Sequence, residues 1–202
     1  MWISSIVPVR KKNGRIRVCV DFRDLNNVCP KDDFPLPIVE LMIDSITGHE
    51  ALSFMDRSFG YNQIHMAPTD EELMAFRTSK GIYCCKIMSF WVKNAGTTYQ
   101  RARQRIFVDM LHKNAKCYVY DLVEKSKKRE DHLHDLRKVF ERLRRYQLKM
   151  NPSKCAFGVT FGKFLGSIIR QRGTEIEQAK IDAILRMSES RNIHELKSLQ
   201  ES

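Results

Sequence analysis

The sequence predicts an α+β fold, and three stretches provide most of the evidence for it. The pair Asn13-Gly14 separates two short apolar runs, which is the strongest short-range signal for a β-hairpin. Residues 117–123 are rich in aromatic and β-branched side chains, which is typical of two short strands meeting at a tight turn. Residues 129–148 place leucine, valine and phenylalanine at helical spacing, with acids in the first turn. Several hairpins combined with an amphipathic helix of this length indicate antiparallel strands packed on helices.

Composition indicates a globular protein without a membrane-spanning segment. Of the 202 residues, 43% are hydrophobic and 29% are charged, which suits one large domain or two small ones. No apolar run reaches the length needed to cross a bilayer. The first nine residues are apolar and the basic residues follow them, which reverses the order of a secretory signal. We therefore expect an intracellular protein that has no membrane partner.

Charge and cysteine usage narrow the expected partners and compartment. The net charge is +11, with 35 Lys and Arg against 24 Asp and Glu, which favours nucleic acid or an acidic membrane surface as partner. Much of the excess falls in three runs between 101 and 149. One such run is typical of a solvated helix face, but three together favour nucleic acid. The six cysteines form no Cys-x-x-Cys pair and have no histidine at zinc spacing, so we expect free thiols in a reducing compartment.

The remaining elements follow from local patterns. Arg15 and Arg17 share one face of the second hairpin strand, where they would either clamp a phosphate or keep an edge hairpin soluble. His132 and His134 are two residues apart on the predicted helix and therefore make a poor metal pair. We expect the following order: strands at 4–9 and 15–22, a turn at 23–27, an extended connector at 30–37, a helix at 38–45, a strand at 51–55, paired strands at 71–79 and 81–88, a helix opened by 93–100 and running to about 111, the hairpin at 117–123, the helix at 129–148, a hairpin at 161–169, and helices at 176–187 and 193–199.

Two carboxylates occupy similar positions in this pattern. Asp121 lies at the tip of the tight turn, and Asp56 ends the short apolar run that begins at residue 51. Either residue alone is typical of an ordinary polar turn. A bulky residue held in a tight turn costs conformational energy, and such strain is often found at functional sites. The pair therefore indicates a candidate site.

The chain resembles the reverse transcriptase domain of gypsy-type LTR retrotransposons over nearly its whole length. The residues on which the resemblance rests lie in one order with compatible spacing, at 7–14, 19–26, 34–37, 54–56, 60–64, 93–100, 151–155 and 164–166. The resemblance implies a right-hand polymerase fold in which an antiparallel palm sheet packs on helices. It implies fingers at 1–50 and 66–90, truncated at the N-terminus, a palm at 51–65 and 91–170, and the start of a thumb or connection at 171–202. It also implies that RNase H, integrase and protease portions lie outside this chain.

The resemblance further implies a two-metal reaction on RNA or DNA template–primer with deoxynucleoside triphosphates. Two Mg²⁺ or Mn²⁺ ions activate the primer hydroxyl and stabilise the leaving group in such a reaction, and these hard cations require carboxylate ligands. Asp56 and Asp121 match the metal-binding positions. Lys154 matches a position near the pyrophosphate.

Other positions match contacts to the nucleotide and the primer. Lys11 and Arg17 would meet the triphosphate. Tyr61 would lie under the sugar of the incoming nucleotide and help to exclude a 2′-hydroxyl. Phe90 would lie in the loop beside the nucleotide. A final group, Phe164, Leu165 and Gly166, would support the primer end.

The resemblance fails at the position that matters most. The family has an aromatic residue, any residue and then two aspartates, whereas residues 118–121 are Tyr-Val-Tyr-Asp, so that Tyr120 replaces the first aspartate. A phenol with an ordinary pKa of about 10 is neutral near pH 7 and does not supply the missing charge. Removing one such electrostatic stabiliser typically costs about 10²–10³ in rate. Trp91 stands where the family has a glycine, and Arg57 and Phe59 crowd the loop after Asp56.

Three hypotheses follow from these departures. The chain is a degenerate retrotransposon polymerase with little or no activity, or a weak polymerase in which Asp56 and Asp121 hold one metal. The third hypothesis is a non-catalytic relic that retains the basic template–primer cleft. Retained nucleic-acid binding that weakens as salt rises would separate the third from the first.

Overall fold

The structure, a computed structural model, describes residues 3–11, 14–56, 60–111, 113–176 and 178–186. Within them the strands are β1 (Ile6–Arg10), β2 (Ile16–Val20), β3 (Ala51–Asp56), β4 (Ala75–Thr78), β5 (Gly81–Cys84), β6 (Ala115–Tyr118), β7 (Asp121–Ser126), β8 (Ala156–Val159), β9 (Phe161–Phe164), β10 (Ser167–Arg170) and β11 (Gly173–Ile176). The α-helices are α1 (Arg23–Val28), α2 (Val39–Asp44), α3 (Pro68–Glu71), α4 (Ala95–Ile106), α5 (His132–Arg145) and α6 (Gln178–Leu185). Short 3₁₀ helices lie at Tyr61–Gln63, Glu72–Met74, Arg129–Asp131 and Pro152–Lys154.

A four-stranded antiparallel sheet in the order β6-β7-β3-β8 forms the centre of the fold. Successive side chains of a strand point to opposite faces, so β7 contributes to two cores. Leu122 packs on one face with residues of α5, whereas Val123 packs on the other face with Met42 and Ile46, near α2. Because both faces are covered, the middle of β3 and β7 is buried.

The predicted helix at 129–148 is confirmed, with two corrections. Leu133 was expected to face the core, but it is 77% exposed, whereas Leu136 and Leu143 are buried. The helix ends at Arg145, earlier than expected, because Gln147 adopts a left-handed φ of 52° that breaks the helical path. The segment beginning at Asn151 then starts a separate 3₁₀ helix.

The N-terminal hairpin is confirmed as β1 and β2, although Asn13 lies outside the described residues. Ser4 links this hairpin to β4, since its N–H donates to the Ala75 carbonyl at 2.9 Å. The paired strands β4 and β5 are also confirmed, but the expected start at residue 71 is wrong. Residues 68–74 are helical, because Pro68 begins a helix whose first turn contains acids.

Other local differences are small. Residues 23–28 form the short helix α1 where a turn was expected, and α4 ends at Ile106, before the expected residue 111. The hairpin at 161–169 is confirmed as β9 and β10, and β11 adds a third strand that was not predicted. The predicted helix at 193–199 lies outside the described residues. No helix in the described part of the chain is long and apolar enough to cross a bilayer.

Candidate active site

The two carboxylates singled out in the sequence lie side by side at one end of the central sheet. The antiparallel register pairs Asp56 of β3 directly with Asp121 of β7. Asp121 was expected at the tip of the turn, but it is the first residue of β7, and the turn consists of Val119 and Tyr120. Burial and the charge of Asp56 raise the pKa of Asp121, while the charges of Arg103 and Lys154 act in the opposite direction.

The turn between β6 and β7 is strained and is held in place by α4. Val119 has a φ of 40°, which is unfavourable for a β-branched residue. The buried Gln100 side chain accepts the Val119 N–H at 2.7 Å and donates to the Cys117 carbonyl at 3.0 Å. Arg103, also fully buried, donates to the Val119 carbonyl. These two residues were missed from the sequence, where their three-residue spacing on one face of α4 was the only signal.

Three tyrosines pack together beside the carboxylate pair. The ring of Tyr120 lies 5.0 Å from that of Tyr61 and 6.0 Å from that of Tyr99, measured between centroids. Burial, together with the neighbouring Tyr61 hydroxyl, raises the pKa of Tyr120 above its ordinary value, so its phenol is neutral. Gly60 allows this close packing, because a Cβ at this position would lie 2.6 Å from the Tyr99 hydroxyl oxygen.

Lys154 reaches the same place from the 3₁₀ helix at Pro152–Lys154. The Asn151 N–H donates to the Asp56 carbonyl at 3.2 Å, which ties this segment to the end of β3. The Lys154 Nζ then lies 3.3 Å from Asp56 Oδ2, although 60% of the lysine side chain is exposed. The structure therefore brings five predicted site residues together: Asp56, Tyr61, Tyr120, Asp121 and Lys154.

The predicted triphosphate and nucleotide-loop residues lie on other elements. Lys11 and Arg17 are exposed on the hairpin of β1 and β2. Phe90 precedes α4, and its ring packs 4.5 Å from that of Trp91, with both about half exposed. The loop is fixed by Asn26, whose amide donates to the Trp91 carbonyl at 2.8 Å. Among the residues that the structure describes, no hydrogen bond or ion pair joins Lys11, Arg17 or Phe90 to Asp56 or Asp121.

The predicted primer-support residues form a turn beside the sheet. Phe164 is 2% exposed and packs in the core with Leu52 and Val123. Leu165 and Gly166 form the turn between β9 and β10, and both have positive φ values, of 49° and 81°. Their contact with a primer stays a prediction.

A right-hand polymerase is the class of protein that this fold defines, and solved structures of that class confirm it. The structure of the foamy viral protease–reverse transcriptase in complex with double-stranded DNA matches 97% of this chain and 34% of its own, with a TM-score of 0.82 and 21% identity. The same viral protein in complex with RNA/DNA hybrid matches 98% of this chain and 27% of its own, with a TM-score of 0.79 and 20% identity.

The chain belongs to the reverse transcriptase (RNA-dependent DNA polymerase) family, whose profile matches residues 9–169. Among its relatives are the transposon Tf2-3 and Tf2-7 polyproteins of Schizosaccharomyces pombe (strain 972 / ATCC 24843), both 28% identical over 189 residues. The alignments cover 94% of this chain, which spans 14% of the length of these curated relatives. The predicted retrotransposon origin is thereby confirmed.

Reverse transcriptases use divalent metal ions, and the residues present here do not fit a two-ion centre. The side-chain donors at the site are the carboxylates of Asp56 and Asp121, and the residue directly before Asp121 is Tyr120, whose phenol is neutral. Within the described ranges, no three or more His, Cys, Asp or Glu side chains are grouped so that they could hold a metal ion. Hard divalent cations require clustered oxygen donors, and a neutral phenol is a poor replacement for a carboxylate.

Proposed function

We propose that this domain binds template–primer nucleic acid, RNA or DNA, and that its nucleotidyl transfer is inactive or very weak. The observation that supports this proposal best is the position of Tyr120. Its neutral ring packs against Tyr61 at the end of the Asp56–Asp121 pair. In this proposal the chain is a degenerate reverse transcriptase of a retrotransposon.

Two observations support nucleic acid as the partner. The chain has a net charge of +11, which favours a polyanion. The foamy viral protein that shares its fold was solved with double-stranded DNA and with RNA/DNA hybrid. The family resemblance adds a division into fingers at 1–50 and 66–90, a palm at 51–65 and 91–170, and the beginning of a thumb after residue 170.

The chemistry of the site supports weak or absent catalysis. Tyr120 supplies neither the negative charge nor the two oxygens of the aspartate that the family has at this position. Its ring also packs against Tyr61, the residue proposed to lie under the nucleotide sugar. Lys11, Arg17 and Phe90 are proposed to contact the nucleotide, and their exposure leaves them accessible to a ligand.

Primer extension on an RNA template with Mg²⁺ or Mn²⁺ tests the proposed impairment. We expect no extension above background by the unaltered chain. Extension by Tyr120→Asp alone would locate the lesion at this one residue. Failure of both proteins would mean that other departures, such as Trp91, also prevent the reaction. Robust extension by the unaltered chain would overturn the proposed impairment.

A non-catalytic nucleic-acid-binding module is the second candidate, favoured by the basic excess of the chain. Its test is equilibrium binding of a fluorescent primer–template at several salt concentrations. The variant Asp56→Asn, which alters one carboxylate of the candidate site, is measured under the same conditions. Binding to phosphates should weaken steeply as salt rises, because bound cations are released from the nucleic acid. Absent or salt-insensitive binding would exclude this candidate.

A further inference from the structure

The guanidinium of Arg103 is buried against the turn that leads into Asp121. Arg103 lies on α4 and is 0% exposed. One of its nitrogens, Nη1, donates to the Val119 carbonyl in the turn that leads into Asp121. Its Nε and Nη2 are buried and have no hydrogen-bond partner among the residues that the structure describes. Its carbon Cζ lies 5.8 Å from the centroid of the Tyr99 ring.

A guanidinium buried in this way requires compensation by negative charge. Removing an ion from water costs several kcal/mol unless nearby charges repay it. No carboxylate among the described residues forms an ion pair with Arg103. The Val119 carbonyl that accepts from Arg103 lies two residues before Asp121, which begins β7 and pairs with Asp56, so the guanidinium is held next to the turn that positions the carboxylate pair.

The negative charges of the two carboxylates equal the positive charges of the two cationic side chains at this centre. Asp56 and Asp121 contribute two negative charges, and Arg103 and Lys154 contribute two positive charges. Lys154 is mostly exposed, so it can swing away from Asp56 when a ligand arrives. Arg103 is fully buried and clamped to the turn, so its positive charge stays in place.

We propose that Arg103 is a fixed internal counter-cation of the Asp56–Asp121 pair. Its guanidinium replaces part of the charge of a divalent ion and thereby opposes the binding of such an ion. A divalent ion entering this centre would meet a positive charge that cannot leave. The proposal builds on the impairment proposed for the same centre, but it concerns ion affinity in the absence of nucleic acid and nucleotide.

Mn²⁺ binding to the full chain tests this proposal, measured from the electron paramagnetic resonance signal of the free ion. The variants are Arg103→Met, which removes the buried charge at similar volume, and Arg105→Met, which removes an exposed charge from the same helix. We expect Mn²⁺ affinity to rise at least about tenfold in Arg103→Met and to stay unchanged in Arg105→Met, because repulsion by a buried charge is poorly screened. Adding Asp121→Asn to Arg103→Met should abolish this gain in Mn²⁺ affinity.

Two further measurements keep the proposal falsifiable if Arg103→Met folds poorly. Arg103→Gln retains polarity without charge, and added MgCl₂ at constant ionic strength should raise its melting temperature but leave that of the unaltered chain unchanged. The unaltered chain itself supplies the other measurement. Tight Mn²⁺ binding that is lost in Asp121→Asn would overturn the proposal, as would equal affinity in Arg103→Met and Arg105→Met. Primer extension remains a separate readout, so a failure of the proposed impairment is distinguishable from a failure of this inference.

Discussion

The two ends of the β3–β7 strand pair use polar residues in opposite ways. Toward the end formed by Ala51 and Ser126, Ser53 pairs with Glu124, and Asp56 pairs with Asp121 at the opposite end. Around the first pair, His132 Nε2 lies 2.8 Å from Ser53 Oγ and His132 Nδ1 lies 2.9 Å from Glu124 Oε2. Ser126 joins this network by donating to Glu124 Oε1 at 2.7 Å.

The difference lies in burial and in the partners that are available. The Ser53–Glu124 end is closed, since its polar side chains are buried against α5 and bond mainly to one another. Such a network fixes the helix on the sheet and leaves no group accessible to a ligand. The Asp56–Asp121 end is half-buried and faces cations, so its groups remain available to a ligand. The same register therefore builds a structural network at one end and a candidate site at the other.

The largest expected effect comes from His132→Ala at the closed end. The change removes the partner of Ser53 and Glu124 and leaves both buried, which should lower the free energy of unfolding by about 3 kcal/mol. Urea denaturation measures the loss. His134→Ala, an exposed change on the same helix, is the control and should stay within about 0.5 kcal/mol. Equal losses in the two variants would contradict a structural network at this end.

The second largest effect tests whether the tyrosine cluster beside Asp56 and Asp121, at the open end, is tightly packed. Gly60→Ala would place a Cβ 2.6 Å from the Tyr99 hydroxyl oxygen, inside the tyrosine cluster. Such overpacking should cost about 1–3 kcal/mol in the free energy of unfolding. Gly96→Ala is the matched control, because its Cβ would lie 3.7 Å from the Tyr61 hydroxyl in ordinary contact. That helical change should stabilise by about 0.5–1 kcal/mol, and a loss as large as that of Gly60→Ala would refute the packing argument.

The pH dependence of the free energy of unfolding distinguishes the buried Glu124 from exposed acidic residues. Burial raises the pKa of Glu124 from 4.5 to about 8, so the folded state retains a proton that the unfolded state has released. Stability contributed by this group is therefore fully present below pH 4.5 and is lost as pH rises toward 8. The slope approaches about 1.4 kcal/mol per pH unit in this window.

Glu124→Gln should remove that slope, because the amide resembles the protonated acid and does not titrate. Denaturant unfolding at several pH values between 5 and 8 measures the change. Glu141→Gln, which alters an exposed acid on α5, should retain the slope of the unaltered chain. A slope unchanged in Glu124→Gln would mean that Glu124 is ionised in the folded protein.

The smallest effect is expected at the open end, from Lys154→Ala. The ion pair with Asp56 spans 3.3 Å, but the lysine side chain is 60% exposed. Exposed pairs typically contribute about 0.2–1 kcal/mol, and a value near the lower end is expected in urea denaturation. A loss comparable to that of His132→Ala would show that the two ends do not differ as described.

The sequence predicted the parts of this protein that depend on local patterns. The hairpin of β1 and β2 follows from Asn-Gly, and the inward positions of α5 follow from helical spacing. The two aspartates were identified as a pair because each is adjacent to a short apolar run. Leu133 was misplaced, because helical periodicity indicates a face but does not show how much of it the sheet covers.

The residues that hold the site in place could not be predicted in the same way. Gln100 and Arg103 resemble ordinary polar positions of a basic helix, yet they are fully buried against the turn at Val119. The close approach at Gly162 could not be predicted from the sequence either. A Cβ there would lie 2.2 Å from the Phe54 ring, and the two residues lie on strands that are distant in sequence.

The amino-acid sequence by itself determined the family, the order of most elements and the presence of a tyrosine directly before Asp121, because these are properties of residue type and spacing. Only the tertiary structure decided which charges face each other. It placed Asp56 opposite Asp121 through strand register, and it placed Arg103 against the turn that leads into Asp121 through the packing of α4. Electrostatic interactions depend on distance and burial in space, and neither is fixed by separation along the chain.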